Sequence, residues 1–317
     1  MQALYWDGRV LSLESSYRAP AFDSQTARIK VHLAGICSTD LQIFKGYMDF
    51  CGVPGHEFVG SVSEGPKELL GKRVVSEINF ACGQCASCGR SLARHCPNRK
   101  VMGILNADGA FAELVGAPVA NLHIVPESVL DEEAVFAEPL AAAFEILEQA
   151  QISPGDEVLV VGDGKLGNLC AQVLQLTGAR VTALGKHEAK LELIKRGGVR
   201  TLLLSDWQPK LFDVVVEAAG SESGFQLAMS AVRPRGTLVL KSTIAGAHEV
   251  SLAPLVIKEV TVIGSRCGPF PEALNALAER SVSTKPLIEK VYPLHNAVEA
   301  VRHAAKPGSR KILLRAN

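Results

Sequence analysis

The second half of the sequence alternates short apolar runs with helical stretches, and this alternation constrains the fold more than any other feature. Six apolar runs occur at 157–161, 181–184, 201–204, 213–217, 237–241 and 261–264. Helical spacing is found between several of them, at 166–176, 188–196 and 224–232. Strands that are apolar along their whole length are buried on both faces, as in a parallel sheet with helices on each side. The sequence therefore predicts an α/β, doubly wound parallel sheet of the Rossmann type.

The first third of the sequence, up to about residue 125, has a different pattern. Short alternating or β-branched runs at 28–33, 58–63 and 72–77 are separated by Gly and Pro, which is typical of strands joined by turns. A short helix is predicted at 39–44 and a longer one, rich in Ala, Leu and Glu, at 133–150. The tail is predicted to hold helices at 271–280 and 297–305 and a last strand at 311–314.

Length and charge exclude several classes of protein. A chain of 317 residues has room for two domains of ordinary size. Its 33 basic and 33 acidic side chains give no basic footprint for nucleic acid or anionic membrane. No apolar run approaches the roughly 20 residues of a membrane-spanning helix, and the N-terminus has no secretory pattern. We expect a soluble cytoplasmic protein in a reducing compartment, where clustered cysteines are metal ligands or catalytic thiols more often than disulfides.

A glycine motif follows the first strand of the α/β part. The motif G-x-G-x-x-G comprises Gly162, Gly164, Lys165, Leu166 and Gly167. It stands directly after an apolar strand and opens a helix, which is the context that a dinucleotide-binding turn requires. Gly162 permits the tight turn, Gly164 lets the backbone approach a pyrophosphate, and Gly167 lets helix and sheet pack closely. The sequence therefore predicts a nicotinamide dinucleotide site.

The residues after the second strand bear on the choice of cofactor. Gly185 stands where an acidic residue would bind the ribose 2′-hydroxyl of NAD, and Lys186 and His187 follow it. A carboxylate would repel a 2′-phosphate, whereas Gly185 leaves room and Lys186 can pair with it. These residues favour NADP(H) over NAD(H). The alternative is that Lys186, His187 and Lys190 only form the solvated start of a helix.

Four of the eight cysteines lie within fifteen residues, at 82–96. Cys82, Cys85, Cys88 and Cys96 have the spacing C-x2-C-x2-C-x7-C. Four thiolates can close a tetrahedral shell around Zn²⁺, and a closed shell is structural. An iron–sulfur cluster is the alternative. We predict a structural zinc that organises a lobe too polar to fold on a core of its own.

The chain resembles the zinc-dependent alcohol dehydrogenase branch of the medium-chain dehydrogenase/reductase superfamily. The resemblance runs through a Gly-Ile-Cys-x-x-Asp segment at 35–40, a Gly-His-Glu segment at 55–57, the four-cysteine lobe, Glu138 with Pro139, the glycine motif, and 216–220. It implies that Cys37 and His56 bind a catalytic zinc. Glu138 stands at the third ligand position of many members, whereas Glu57 can ligate in polyol-dehydrogenase-like members. The choice between these two carboxylates stays open.

The resemblance also implies roles for neighbouring residues. Thr39 matches the hydroxyl that receives the substrate proton, and Asp40 would orient the histidine ligand. Gln42 replaces a histidine that passes the proton to solvent in many members, so that a water or another group must take this role. The segments at Ser242 and Thr243 and at Ser265 and Arg266 would lie along the nicotinamide. Arg310 matches a basic residue near the pyrophosphate.

The architecture implied by the resemblance is a Rossmann domain inserted in a catalytic domain. The catalytic domain, 1–139 and 268–317, would form a chaperonin-10-like (GroES-like), partly open β-barrel, and 140–267 would bind the cofactor. The catalytic zinc would lie in the cleft between the two. A homodimer or homotetramer built on the nucleotide-domain sheet is expected.

The predicted activity is zinc-dependent hydride transfer between a nicotinamide cofactor and a secondary alcohol or polyol, or the corresponding carbonyl. Two alternatives stay open: a zinc-free quinone or enone reductase, and a non-catalytic NADP(H)-binding redox sensor on the same fold. Two zinc ions per chain are predicted, and Cys51, Cys170 and Cys267 are left for packing. Candidate substrate-pocket residues are Tyr47, Phe50, Ile78, Asn79 and Phe270.

Overall fold

A computed structural model describes residues 1–243 and 250–316. The chain divides into two compact units, the first formed by Met1–Glu138 with Ile288–Asn317 and the second by Pro139–Leu287. The first boundary follows Glu138, and the sequence predicts it after residue 139. The second lies beyond the predicted return at 268, because residues 268–287 have their contacts in the second unit. Within that segment, the Ser283 N–H donates to Gln172 Oε1 at 2.8 Å, which ties it to a helix of the second unit.

Eighteen strands occur in the described residues. In chain order they are β1 Ala3–Trp6, β2 Leu11–Glu14, β3 Thr26–Gly35, β4 Glu57–Glu64, β5 Arg73–Ser76, β6 Asn79–Phe80, β7 Lys100–Met102, β8 Asn106–Ala107, β9 Leu114–Pro118, β10 Leu122–Ile124, β11 Glu157–Val161, β12 Arg180–Gly185, β13 Arg200–Leu203, β14 Phe212–Glu217, β15 Val232–Leu240, β16 Thr261–Gly264, β17 Ile288–Pro293 and β18 Lys311–Arg315.

Ten α-helices occur in the same residues. They are α1 Ser38–Ile43, α2 Ala86–Gly89, α3 Asp131–Ala134, α4 Ala137–Gln149, α5 Lys165–Gln175, α6 Glu188–Arg196, α7 Glu222–Ala231, α8 Ala253–Ile257, α9 Phe270–Ala278 and α10 Ala297–Ala304. The long helix predicted at 133–150 is two helices, since α3 ends at Ala134 and α4 begins at Ala137.

The first unit is built on a seven-stranded sheet with β3 at its centre. The strand order is β10-β5-β4-β3-β18-β17, and β9 also pairs with β3. All pairs are antiparallel except β17 with β18. Ala27, Ile29, Val31 and Leu33 alternate along β3 and are all at most 3% exposed, so one face of this strand carries the core. The predicted β-rich first part of the chain is confirmed.

The second unit is a six-stranded parallel sheet with the order β13-β12-β11-β14-β15-β16. Val158, Leu159 and Val160 on β11 are fully buried, as strands covered on both faces must be. The sheet is doubly wound, since the order runs one way from β11 to β13 and the other way from β14 to β16. The Rossmann-type prediction is confirmed, and the reversal of order between β11 and β14 puts the glycine motif where such folds bind ligands.

Two glycines of the motif are required by the packing of the second unit. Gly162 has a φ of +127°, and a Cβ there would lie 2.7 Å from the carbonyl oxygen of Ala218. A Cβ at Gly167 would collide with the carbonyl oxygen of Gly162. A side chain at Gly162 would press against the segment after β14, and one at Gly167 would push α5 away from the turn after β11.

Among the described residues, no helix combines the length and the apolar character that crossing a membrane requires.

Candidate metal centres and cofactor site

A buried cluster in the first unit brings together Cys37, His56 and Glu57. Their ligand atoms all lie within 4.8 Å of one another. The register of β3 and β4 explains the convergence, because Gly35 pairs with Glu57 and the chain turns into α1 two residues later. Gly35 is needed here, since a Cβ on it would lie 2.5 Å from Glu57 Oε2.

The turn at Cys37 is held by a reciprocal cap at the start of α1. The Cys37 N–H donates to Asp40 Oδ2 at 2.7 Å, and the Thr39 N–H donates to Cys37 Sγ at 3.5 Å. Both interactions satisfy backbone groups that the first turn of a helix would otherwise leave unpaired. The cap also fixes the direction of Asp40, whose other oxygen, Oδ1, lies 3.3 Å from His56 Nδ1.

The cluster gathers several ionisable groups in a buried site. Asp40, His56 and Glu57 are 0%, 3% and 1% exposed. Burial lowers the pKa of His56, but the Asp40 carboxylate and Cys37 outweigh it, so that this pKa stands well above its ordinary value. Glu57 Oε1 is buried and has no hydrogen-bond partner among the described residues. A cysteine sulfur, an imidazole and a carboxylate with an unpaired oxygen fit a divalent metal such as zinc, which would satisfy that atom.

Lys311 completes the cluster and was missed in the sequence. Its ammonium group makes an ion pair with Glu57 Oε2, lies 3.5 Å from the carbonyl oxygen of Ile36, and sits over the ring of Phe136. Only 2% of Lys311 is exposed. Burial lowers its pKa, but Glu57 and the other anionic groups outweigh it, so that the pKa is raised and the lysine is charged. The sequence signal for this residue is a single lysine at the start of an otherwise apolar strand, which indicates a lysine that is buried and paired.

Glu138 does not join this group. Among the described residues, the ligand atoms that lie within 4.8 Å of one another here are those of Cys37, His56 and Glu57, whereas the Asp40 carboxylate contacts His56 at Nδ1. Glu138 is half-buried in the first turn of α4. Arg310, predicted near the pyrophosphate, is half-buried just before β18. Its backbone N–H donates to Glu289 Oε2 at 2.7 Å.

The four cysteines of the lobe at 82–96 also converge. The Sγ atoms are 3.5 Å apart for Cys85 and Cys88, 3.7 Å for Cys85 and Cys96, and 3.5 Å for Cys82 and Cys96. A tetrahedral shell with Zn–S bonds of about 2.3 Å has edges of about 3.8 Å, so that these positions fit zinc. The Gln84 N–H and the Cys96 thiol lower the pKa of Cys82 to about 6, which makes it a thiolate at neutral pH.

The glycine motif presents an open backbone at the N-terminus of α5. Gly164 is the N-cap residue, no side chain caps the helix, and a Cβ on Gly164 would meet nothing within 4 Å. Lys165 and Leu166 form the first turn. The N-terminus of α5 and the open approach at Gly164 fit a pyrophosphate.

The end of the second strand departs from the reasoning made on the sequence. The sequence has no acid at Gly185 itself, which predicts a site without a carboxylate. Instead, the carboxylate of Asp163 lies against Gly185 and accepts the N–H groups of Lys186 and His187, both at 2.7 Å. Asp163 is a variable position (x) of the motif G-x-G-x-x-G. The sequence pattern does not predict that its side chain contacts the end of β12.

The segments predicted to lie along the nicotinamide follow β15 and β16. Lys241, a second buried lysine that the sequence did not reveal, donates to Ser265 Oγ at 3.1 Å and to the carbonyl oxygen of Arg266 at 3.0 Å. It also donates to the carbonyl oxygen of Ala142 at 2.6 Å. Lys241 therefore joins α4 to the ends of β15 and β16. Ser242 and Thr243 end the described part before residue 250.

The remaining candidates have mixed surroundings. Phe50 packs in an apolar cluster with Trp6 and Ile43. This packing accounts for its burial without a contact to a substrate. Thr39 Oγ1 lies 3.7 Å from Cys37 Sγ, and Gln42 is half-buried one turn further along α1. The other pocket candidates are half-buried or buried: Tyr47, Ile78, Asn79 and Phe270.

The three cysteines left for packing differ in burial. Cys170 is buried in α5, which raises the pKa of its thiol to about 11 and leaves it inert. Cys267 is half-buried. Cys51 is exposed, so the prediction that it packs in the interior is wrong.

Comparison with known proteins agrees with the fold. Residues 23–127 match the alcohol dehydrogenase GroES-like domain, and residues 166–282 match the zinc-binding dehydrogenase domain. The chain is thus built as a dehydrogenase with a GroES-like and a nucleotide-binding part. It belongs to the zinc-type alcohol dehydrogenases of the medium-chain dehydrogenase/reductase superfamily, and the family resemblance inferred from the motifs is confirmed. It is therefore an oxidoreductase of the alcohol dehydrogenase type.

Similar proteins include polyol dehydrogenases. D-arabinitol dehydrogenase 1 from Uromyces fabae is 28% identical over 100% of this chain and 97% of its own length. Sorbitol dehydrogenase from Halalkalibacterium halodurans is 29% identical over 93% of each.

Two solved structures carry nicotinamide cofactors. A zinc-binding dehydrogenase from Sinorhizobium meliloti 1021 bound to NADP is 25% identical with a TM-score of 0.90, covering 99% of this chain and 98% of its own. The alcohol dehydrogenase rspB from E. coli CFT073, complexed with NADH, is 26% identical with the same TM-score and covers 99% of both chains.

The ion pair between Lys311 and Glu57 gives a test of the cluster. Replacing Lys311 with Met leaves a carboxylate buried without its cation, and we expect the free energy of unfolding to fall by about 3–5 kcal/mol. The double variant Lys311→Met/Glu57→Gln should lose less than the single variant, because the uncompensated charge is gone. Urea denaturation measures both, with exposed Lys306→Met as the control. A loss in Lys311→Met no larger than in the control would contradict this account.

Proposed function

We propose that the protein is a zinc-dependent dehydrogenase that transfers a hydride between a nicotinamide cofactor and a secondary alcohol or polyol, or the corresponding carbonyl. The observation that carries the proposal is the buried convergence of Cys37, His56 and Glu57, with one carboxylate oxygen unpaired. The names of the similar polyol dehydrogenases support the substrate class. The cofactors in the two similar structures support a nicotinamide dinucleotide.

Zinc, when bound, supplies Lewis-acid chemistry at the substrate oxygen, and the nicotinamide supplies hydride transfer. Cys37 and His56 would hold the metal, with Glu57 as the third ligand. The position of Glu57 in the cluster supports this choice over Glu138, which is not part of the group. Lys311 holds the other oxygen of Glu57, which limits the directions in which that carboxylate can turn.

Asp40 and Thr39 have distinct parts in this proposal. Asp40 faces His56 Nδ1 at 3.3 Å while its second oxygen is fixed by the Cys37 N–H, so that it would hold the ring with Nε2 toward the metal. Thr39 Oγ1, beside Cys37 Sγ, would accept the proton of a substrate hydroxyl. Gln42 cannot titrate, so a water or another group must carry that proton to solvent.

The cofactor would bind to the second unit. Its pyrophosphate would lie at the N–H groups of Lys165 and Leu166, beside Gly162, Gly164 and Gly167. Ser242 and Arg266 would border the nicotinamide. Arg310 is proposed near the pyrophosphate from the family resemblance alone.

The preference for NADP(H) is the finer part of the proposal. The exposed Lys186 supports it, because it offers positive charge beside a concave surface lined by Leu203, Leu204 and Ser205. The carboxylate of Asp163 opposes it. Comparing kcat/KM for the two cofactors tests the preference.

The two alternatives predict different outcomes. A zinc-free reductase needs neither metal cluster, and a non-catalytic sensor would bind the nucleotide without turnover. The buried cluster around Cys37 favours the zinc-dependent dehydrogenase over both. The cytoplasmic location inferred from the clustered cysteines stays a prediction.

We propose further that the protein is a homo-oligomer built on the edge of the second sheet. Within the described chain, β16 has a strand neighbour on one side, β15. Val256, Ile257 and Val262 near this edge are 74%, 81% and 42% exposed. An unpaired edge flanked by exposed apolar side chains suits pairing with a second copy about a two-fold axis.

A substrate panel tests the activity. Polyols, sugars, amino alcohols and aromatic alcohols, each with NAD and NADP, should give an absorbance change from the reduced nicotinamide for at least one secondary alcohol or polyol. Cys37→Ala should lower kcat/KM by at least about 10³-fold, since electrostatic stabilisation of this size is removed with the metal. The exposed Cys51→Ala is the matched control. Full activity of Cys37→Ala would exclude the zinc mechanism.

Metal analysis tests the lobe at 82–96. The wild type should hold two zinc ions per chain, and Cys88→Ser should hold one fewer, because a closed tetrahedral shell needs all four thiolates. The variant should also be cleaved by protease within the lobe, since the bound metal supplies its folding free energy. Unchanged zinc content in Cys88→Ser would show that the lobe holds no metal.

Light scattering on a sizing column tests the oligomer. Ile257→Asp puts a charge on the exposed apolar surface beside β16, and we expect the mass to fall toward that of one chain, 33.8 kDa. Leu211→Asp, at an exposed apolar residue elsewhere in the second unit, is the control. A wild type that runs as a monomer would contradict the proposal.

A further inference from the structure

Asp163 fills the position that a strand-end side chain would take. A Cβ built on Gly185 would lie 2.6 Å from Asp163 Oδ2 and would collide with Asp163 Cβ. Gly185 is therefore not an empty place beside the cofactor site. The side chain of Asp163, a residue of the glycine motif, packs directly against it.

The carboxylate of Asp163 is fixed in this place. Oδ2 accepts the N–H groups of Lys186 and His187, each at 2.7 Å, and the carboxylate also contacts His187 Nδ1 at 3.0 Å. About one tenth of the side chain is exposed. These bonds hold one oxygen, Oδ2, against the start of α6. The second oxygen, Oδ1, has its nearest named partner in His187 Nδ1 at 3.2 Å.

The location of this charge matters for the choice of cofactor. In doubly wound sheets an acid at the end of the second strand binds the ribose 2′-hydroxyl of NAD. The same acid disfavours NADP, because a 2′-phosphate carries nearly two negative charges and would be brought against a carboxylate. Asp163 puts a carboxylate at the end of β12, although it belongs to the turn after β11.

We infer that Asp163 is a selectivity residue that replaces the missing strand-end acid and disfavours the 2′-phosphate of NADP(H). The inference rests on the proposed function, since it assumes that the second unit binds a nicotinamide dinucleotide. The inference goes beyond the proposed function because it gives Asp163, a residue of the glycine motif, a role in the choice between the two cofactors. The selectivity for NADP(H) is then lower than Gly185 and Lys186 alone would give.

The test compares binding of the two reduced cofactors. Fluorescence titration gives Kd for NADPH and for NADH in the wild type and in Asp163→Asn, which keeps an acceptor oxygen for the N–H groups and loses the charge. We expect the ratio of Kd for NADH to Kd for NADPH to rise by about tenfold or more in the variant, whichever cofactor the wild type prefers. A ratio within about twofold of the wild type would overturn the inference.

A second variant tests the opposite charge at the same place. Lys186→Met should lower the same ratio, because it removes the cation proposed to pair with the phosphate. If Asp163→Asn weakened both cofactors equally, the residue would be structural only and the inference would fall. If the wild type bound neither NADH nor NADPH, the proposed function would fall with it. Saturable binding with an unchanged ratio would leave the proposed function standing and overturn the inference alone.

Discussion

The structure of the first unit depends on the compensation of one buried carboxylate. Glu57 lies at the start of β4, and its ion pair with Lys311 joins residues 254 positions apart in the chain. The pairing of β18 with β3 brings the lysine there, so that the tail of the chain completes a cluster whose other members lie in the first sixty residues. Burying an unpaired carboxylate would cost several kcal/mol. The last strand is therefore part of the site as well as of the sheet.

The same cluster explains why helix α1 starts where it does. The Cys37 side chain accepts a backbone N–H of the first turn, and the Asp40 carboxylate accepts the Cys37 backbone N–H. This cap begins α1 after β3 and fixes the carboxylate that faces His56. Local capping thus orients a group for the chemistry proposed at the neighbouring histidine. The buried Lys241 has a comparable structural part in the second unit, where it links α4 to the ends of two strands through three oxygen atoms.

Much of the fold and of the site was predictable from local pattern. Strands of the second unit were found because residues buried on both faces leave continuous apolar runs, and the four-cysteine lobe was found because its ligands are close in the chain. The charged residues that complete these sites were not predictable from local pattern. Lys311, Lys241 and Asp163 act through residues distant in sequence, and a lone charged residue in an apolar strand or a variable position in a glycine motif has no periodicity that identifies its partner.

The sequence by itself determined the class of the protein, the parallel sheet, the glycine motif and the identity of the cysteines that meet in the lobe. Each of these is encoded by neighbouring residues, through burial periodicity, backbone sterics or ligand spacing. Tertiary structure alone put Glu57 beside Cys37 and His56 with Lys311 against it, and put Asp163 in the space at Gly185. Both outcomes depend on strand register and chain crossing, which bring together side chains whose separation in the sequence carries no information on their distance in space.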